Sequence, residues 1–228
     1  MSKTILRLVA IITFLAGIGI ILVIFFPIIS YNYFSTGLNL LNPIVGENND
    51  IPKGDLTKAS NWFVGGASGK DFNSNKVFSY TISIPKLKIQ DATVIIGSED
   101  LSKSLVQYPT AVSPGRVGNT VVFGHSALPL FFDPKRYTTI FSTLPTLKKG
   151  DQIEVRYDGV TYLYRVENMF EVLPTDLSVL SQNMDDSYLT LITCTPPGDP
   201  RNPKRLIVRS KIVSPEEKTY NSYQRTGI

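Results

Sequence analysis

The stretch that decides the fold is Tyr188-Leu-Thr-Leu-Ile-Thr-Cys-Thr-Pro-Pro197, which carries the only cysteine of the chain, Cys194. Its leucine, isoleucine and threonine residues form a short apolar, β-branched run that is typical of a buried strand, and the two prolines end it. The thiol therefore lies where a strand stops, a place from which protein scaffolds often present reactive groups. A lone cysteine in a strand is more often a core residue, so this position alone does not establish catalysis.

Short strands dominate the rest of the chain from residue 77 onward. Alternating or continuous apolar runs predict them at Phe78–Ile84, Ala92–Gly97, Thr120–Phe123, Gln152–Tyr157, Val160–Phe170 and Arg205–Ile212. Asp158-Gly159 suits a type I′ turn between two of them. A helical turn is expected from Ser98 to about Val106, and another from Tyr137 to Leu147. About seven or eight strands with short helices predict an all-β domain, and a closed barrel leaves no exposed edge strand.

The N-terminus carries a membrane-anchor signal. From Leu8 to Ile29 there are about 22 residues without charge, enough to cross a bilayer as a helix. Lys3 and Arg7 precede this segment and the next basic residue is Lys53, so the positive-inside rule places the N-terminus in the cytoplasm and the remainder outside. A cleaved signal peptide is the alternative, but its apolar region would be shorter and a small-residue cleavage site should follow.

These features divide the chain into four parts. We expect a cytoplasmic stub and transmembrane anchor at residues 1–34, and an extracytoplasmic linker at 35–76 because that range is rich in Asn, Gly, Ser and Lys. The barrel domain should occupy residues 77–214. A polar tail, residues 215–228, should follow it.

Charge and motif content exclude several function classes. The net charge of +4 is scattered, which argues against a nucleic-acid partner. One histidine and one cysteine fall short of an ordinary zinc site, and no glycine-rich nucleotide loop is present. The sequence requires no cofactor and leaves stimulation by calcium open.

One histidine and one nearby arginine could complete a site around Cys194. His125, the only histidine, directly follows the strand that ends at Phe123-Gly124. It could serve as the base or imidazolium partner that a thiol needs, because a free thiol is mostly protonated at neutral pH. Arg205 begins the last strand, and if that strand returns antiparallel beside the Cys194 strand, Arg205 lies next to Cys194 and Arg209 far from it. Arg201, in a proline-rich loop, is a weaker candidate.

Four motifs in this order resemble the sortases, the membrane-anchored cysteine transpeptidases of the bacterial surface. Leu189-Thr-Leu-Ile-Thr-Cys194 resembles the family's T-L-x-T-C signature, and Lys204-Arg-Leu-Ile-Val208 its arginine strand. Gly118-Asn-Thr-Val-Val-Phe-Gly-His125 is similar to its G-N…G-H segment and Ile84-Pro85 to its early I-P strand. The resemblance covers about Tyr80 to Val213.

The resemblance implies an eight-stranded β-barrel in which the strands before His125 and Cys194 are parallel neighbours. It also implies cleavage of a C-terminal L-P-x-T-G-like motif, a thioester on the cysteine, and transfer to an amine of a cell-wall precursor or a pilin lysine. Cys194 would then be the nucleophile, His125 the proton-transfer partner and Arg205 the oxyanion stabiliser. Asn119 and Thr193, which lie within the motifs, are expected to bind substrate.

Other functions remain open. The sequence before the barrel carries no clear aspartate-aromatic lid, which favours wall anchoring over pilin polymerisation without excluding the latter. A different envelope cysteine enzyme should show a His-Gly-x-Cys cluster or place cysteine before histidine, and neither pattern is present. A non-catalytic binding barrel should have lost His125, Cys194 or Arg205, and all three are retained.

Overall fold

The computed structural model describes residues 7, 9–19, 54–72, 78–182, 185–198 and 204–213. The chain forms two compact units, Met1–Pro43 and Ile44–Ile228. In the first unit, residues 9–19 are helical. Across the described ranges, the structure contains no helix of the length and apolarity that a bilayer span requires. Half of the expected anchor, Leu8–Ile29, and the whole of the expected tail, 215–228, lie outside the described residues.

The second unit contains a closed barrel of eight strands. They are β1 Phe78–Ile84, β2 Ile89–Ile96, β3 Leu105–Gln107, β4 Gly118–Phe123, β5 Gln152–Tyr157, β6 Val160–Val172, β7 Ser187–Thr195 and β8 Lys204–Ile212. Their order around the barrel is β1-β2-β3-β4-β7-β8-β6-β5, and β5 closes the barrel on β1. The pairs β2–β3 and β4–β7 are parallel, and the other pairs are antiparallel. The predicted closed eight-stranded barrel is thus confirmed.

The helical segments of this unit are short, as expected. Among the described residues they comprise the 3-10 turns Ala59–Asn61, Pro85–Leu87, Pro129–Phe131, Leu144–Thr146 and Leu177–Leu180, and one α-helical turn, Gly69–Phe72. The hairpin prediction is also confirmed, because Asp158 and Gly159 join β5 to β6 with φ values of 50° and 74°. A type I′ turn requires positive φ at both of these positions.

The helical turn expected from Ser98 to Val106 is wrong. The Ser98 hydroxyl accepts a hydrogen bond from the Asp100 amide, and the Asp100 carboxylate accepts one from the Ser102 amide. Such local side-chain bonds satisfy backbone donors without a helix. Leu105 and Val106 then form β3, which is buried between β2 and β4.

Two hydrophobic clusters lie on opposite faces of the sheet that contains β4, β7 and β8. The barrel interior draws residues from all eight strands, including Val122, Leu191 and Leu206. The alternate residues of the same strands, Phe123, Ile192 and others, belong to a second cluster on the outer face. Packing on both faces explains why β4 and β7 are buried along almost their whole length and not only at alternate positions.

Residues 54–72 cover this outer face, which differs from the expected linker over 35–76. Trp62 is 0% exposed and Phe72 is 1% exposed, and both belong to the outer cluster. The Ala59 amide donates to the Glu99 carbonyl, and the Val64 amide donates to the Pro174 carbonyl. The aromatic side chains outweigh the polar composition of the segment, because burying large rings is among the most favourable packing terms available to it.

Candidate active site

His125, Cys194 and Arg205 lie in one row: His125 follows the end of β4 by two residues, Cys194 is in β7 and Arg205 is in β8. The parallel register of β4 and β7 runs from the pair Gly118 and Ser187 to the pair Phe123 and Ile192. The same register, continued two residues beyond Phe123, places His125 beside Cys194. On the other side, antiparallel pairing places Arg205 directly opposite Cys194. The expected pairing of the last two strands is therefore confirmed, and it brings the Arg205 guanidinium to the Cys194 thiol.

Hydrogen bonds hold the loop after β4 against β7. The Gly124 amide donates to the Ile192 carbonyl at 3.1 Å, and the Thr193 hydroxyl donates to the Gly124 carbonyl at 2.8 Å. The Ser126 hydroxyl donates to the carbonyl of Cys194 itself at 2.8 Å. The backbone that carries His125 is thereby tied to the backbone that carries the thiol.

Glycine at position 124 is required by close packing. A Cβ atom there would overlap the Phe141 ring and lie 2.6 Å from Leu105 Cδ2. The same contact region fixes His125, whose carbonyl accepts a hydrogen bond from the Phe141 amide at 2.9 Å. Any larger residue before His125 would therefore force the backbone or the Phe141 and Leu105 side chains to shift.

Arg205 is completely buried and is aimed at the thiol. Its Nη1 donates to Cys194 Sγ at 3.7 Å and to the Lys204 carbonyl at 3.2 Å. Its Nε donates to the Trp62 carbonyl at 2.9 Å. The guanidinium carbon lies 5.3 Å from the centre of the Trp62 ring system and 6.0 Å from that of Phe63, within range of cation–π attraction.

Burial sets the ionisation of the thiol and the imidazole. It raises the pKa of Cys194 above its ordinary value of 9.0, and the Arg205 cation opposes this shift only in part. It lowers the pKa of His125 below 6.5, against the attraction of the Asp55 and Asp100 carboxylates. At neutral pH the resting site therefore holds a neutral thiol beside a neutral imidazole.

Asn119 and Thr193, expected to bind substrate, are buried and hydrogen-bonded within the protein. Asn119 is 1% exposed, and its amide nitrogen donates to the Val179 and Ser181 carbonyls. Its side-chain oxygen accepts from the Thr190 hydroxyl at 2.7 Å. Thr193 is fully buried and bonds to the backbone beside His125. The substrate-binding interpretation is not supported for either residue, because their polar groups are used within the protein.

The structure separates the three arginine candidates. Arg209 pairs with Thr190, four residues before Cys194, and its guanidinium donates to the Thr190 hydroxyl and the Val179 carbonyl. Arg201 lies outside the described residues. Of the two described candidates, Arg205 is the one in contact with the thiol.

Sequence reasoning missed Trp62. Its indole lies with its centre 5.4 Å from the Phe123 ring and 6.0 Å, edge-on, from the His125 ring. The available signal was an apolar island, Trp62-Phe63-Val64, within a polar segment. An apolar island of this kind, outside the strand pattern, indicates a tryptophan that is buried against the barrel.

The described residues contain no cluster of three His, Cys, Asp or Glu side chains that could hold a metal ion. The chemistry of the row itself is that of acyl transfer: a nucleophile, a proton-transfer group and a fixed cation for a developing oxyanion.

Comparison with known proteins agrees with this geometry. A family model described as the sortase domain matches residues 82–213, more than half of the chain. Sortase A of Bacillus anthracis is 29% identical over 140 residues, which are 60% of each chain. Sortase D of Bacillus subtilis is 26% identical over 136 residues, which are 58% of this chain and 63% of that protein. The matches thus span less than two thirds of either relative.

Solved structures give the same result. Sortase A from Corynebacterium diphtheriae superposes with a TM-score of 0.51 and 29% identity over 62% of each chain. The pilus-related sortase C of Group B Streptococcus superposes with a TM-score of 0.51 and 28% identity, over 67% of this chain and 76% of that one.

Proposed function

The chain belongs to the sortase family, and from this we propose that it is a cysteine transpeptidase of the bacterial cell envelope. Its substrate would be a surface protein with a C-terminal L-P-x-T-G-like sorting motif, cut between threonine and glycine. The acyl group would pass through a thioester on Cys194 to an amine. The observation that carries this proposal is the row formed by His125, just after β4, Cys194 in β7 and Arg205 in β8.

In the first half-reaction, Cys194 Sγ attacks the threonine carbonyl carbon. Because burial favours the neutral thiol, the thiol proton has to move to the neighbouring imidazole as the sulfur–carbon bond forms. The carbonyl π electrons move to oxygen and give a tetrahedral oxyanion. His125, now imidazolium, then gives the proton to the glycine nitrogen as the carbon–nitrogen bond breaks.

Arg205 stabilises the oxyanion. Its guanidinium is held within reach of Sγ, and burial leaves little water to screen its charge. A fixed cation aimed at the place where charge develops needs no rearrangement during the reaction, which is how preorganised donors lower a barrier. A guanidinium also keeps its proton where an ammonium group could lose it.

In the second half-reaction, an amine attacks the thioester carbonyl. Neutral His125 takes the proton from the attacking nitrogen, and the thiolate leaves and recovers a proton from the imidazolium. The acceptor would be an amine of a cell-wall precursor or a pilin lysine, and both can be offered in one assay.

The apolar segment Leu8–Ile29 would anchor the enzyme in the cell membrane as a single span, with the N-terminus in the cytoplasm and the barrel outside. Residues 1–34 would form the cytoplasmic stub and the anchor, and residues 77–214 would form the catalytic barrel. We expect the mature membrane-bound protein to keep its first residues. A freely released form that begins near Ser30 would show that the segment is a signal peptide.

The decisive experiment is to incubate the 228-residue chain in detergent with a library of sorting peptides and to weigh the protein. A mass increase equal to the N-terminal acyl fragment identifies the thioester, and added triglycine or a lysine peptide should discharge it. Cys194→Ala is the control that should form no adduct, since it removes the only thiol. An adduct on the Cys194→Ala protein, or no adduct with any peptide on the wild type, would refute the proposal.

A further inference from the structure

The position of Arg205 in β8 does not by itself determine where its guanidinium lies. The register of β8 fixes its Cα opposite Cys194, but an arginine side chain has many rotamers and could direct its guanidinium elsewhere. The guanidinium instead lies over the Trp62 ring with Nη1 directed at Sγ. Something on the outer face has to hold it there.

Trp62 meets this need in two ways. Its carbonyl accepts the Arg205 Nε hydrogen at 2.9 Å, which sets the direction of the guanidinium plane. Its indole faces the guanidinium at 5.3 Å, and a desolvated cation–π contact of this kind is favourable. Trp62 therefore restrains both the direction in which the Arg205 guanidinium points and its distance from the indole ring.

Trp62 is itself held rigidly. The indole N–H donates to the Leu56 carbonyl at 2.9 Å, and the ring packs on Phe123, the last residue of β4. Its backbone amide donates to the Ala59 carbonyl and closes the short 3-10 turn. Trp62 therefore links the position of Phe123 in β4 to the position of the Arg205 guanidinium.

The same indole lies edge-on to His125, with ring centres 6.0 Å apart. Trp62 thus contacts both groups that flank the thiol, although it lies about 60 residues before the first of them in the sequence. We propose that Trp62 is a positioning residue of the transpeptidation reaction, which keeps Arg205 against Cys194 and His125 in the row. This inference rests on the proposed function.

Two substitutions separate positioning from packing. Trp62→Leu removes the aromatic face and the indole donor but keeps an apolar side chain, whereas Trp62→Phe keeps a ring that can stack on Arg205. Phe72→Leu is the matched control, because Phe72 is equally buried in the same cluster but packs its ring on Tyr108 and Phe123. Thermal unfolding of all three, in the full chain, measures the packing loss that they share.

The first measurement is the rate at which iodoacetamide alkylates Cys194 as a function of pH. The Arg205 cation lowers the thiol pKa, so a loosened Arg205 should raise the midpoint of this curve. A cation within 4–6 Å shifts the pKa of a neighbouring group by about 1–3 units. We expect Trp62→Leu to raise the midpoint of the Cys194 alkylation curve by about half a unit or more. Trp62→Phe should lose less, and Phe72→Leu should leave the midpoint unchanged.

The second measurement is the steady-state cleavage of a sorting peptide. Trp62→Leu should lower kcat about tenfold with KM changed by less than about twofold, since Arg205 acts on the transition state. Phe72→Leu should retain the wild-type kcat once the folded fraction is accounted for. Trp62→Phe should lie between them.

Two results would overturn the inference. Equal midpoints and equal kcat values for Trp62→Leu and Phe72→Leu would mean that Trp62 only packs. A kcat higher than wild type in Trp62→Leu would mean that Trp62 obstructs the site instead of organising it. If the wild type formed no acyl-enzyme at all, the proposed function would fail, but the alkylation curves would still decide the role of Trp62.

Discussion

Replacing Arg205 with alanine tests the row of residues most directly. The guanidinium is fully buried and donates to Cys194 Sγ at 3.7 Å. Removing one preorganised donor from an oxyanion site costs about 10²–10³ in kcat. Loss of a cation close to the thiol also raises its pKa by about 1–3 units, which reduces the thiolate population further. We therefore expect Arg205→Ala to lower the acylation rate about 10³-fold.

The assay is single-turnover acyl-enzyme formation, followed by mass after rapid acid quenching. Arg205→Lys keeps a cation and most of the side-chain volume but loses the two-pronged donor. It should recover little of the lost rate. Thermal unfolding of both variants separates the loss of catalysis from loss of the folded state, because the alanine also leaves a cavity beneath Trp62.

Arg209→Ala is the matched control on the same strand and the same face. Its guanidinium bonds to the Thr190 hydroxyl and the Val179 carbonyl, about 13 Å along the strand from Arg205 at roughly 3.3 Å per residue. It should lose stability of about 1 kcal/mol for each hydrogen bond and keep its rate per folded molecule. Equal rate losses at the two positions, or a nearly normal rate in Arg205→Ala, would refute the assigned role.

Two further predictions concern the ionisation of the site and the interior of the barrel. Acylation starts from a neutral thiol and a neutral imidazole, and burial has moved the two pKa values apart, so the rate should be flat between an acid limb below pH 6.5, where the imidazole is protonated, and a basic limb above pH 9.0, where the thiol has lost its proton. Replacing His125 with alanine should lower turnover about 10²-fold or more and make the residual rate climb steadily with pH as the thiol ionises; a loss of only a few-fold would make His125 a bystander. Asn119→Ala leaves the Thr190 hydroxyl without its acceptor, which should cost about 1–3 kcal/mol of unfolding free energy while KM for the peptide stays unchanged. A raised KM with normal stability would restore the substrate-binding interpretation of Asn119.

Local patterns in the sequence were sufficient to predict most of the barrel. Period-two burial in β1 keeps Tyr80, Ile82 and Ile84 inside, and only Phe78, at the open end of the strand, departs from the pattern with 58% exposure. The strands that carry Cys194 and Arg205 begin and end within one residue or so of their expected positions because prolines separate them. The antiparallel return of β8 then determined which arginine meets the thiol.

The sequence predicted less where side chains bond locally or pack at long range. β3 is three residues long and follows turns made by Ser98 and Asp100, so no periodicity could reveal it. Asn119 lies within a motif that suggested substrate contact, but its partners Val179 and Ser181 are some 60 residues away. A long-range hydrogen bond of this kind leaves no local pattern.

The location of the row on the outer face of the barrel explains why the segment before β1 matters. Cys194 packs with the outer cluster and not with the barrel interior, so the strands alone would leave one side of the thiol in water. Residues 54–72 exclude that water, and burial is the main cause of the raised Cys194 pKa and the lowered His125 pKa. The strands bring the three groups together, and the covering segment adds to the burial that raises the Cys194 pKa and lowers the His125 pKa. A boundary drawn at the first strand would therefore keep the proposed catalytic residues, His125, Cys194 and Arg205, but remove part of the apolar cover that shifts their pKa values.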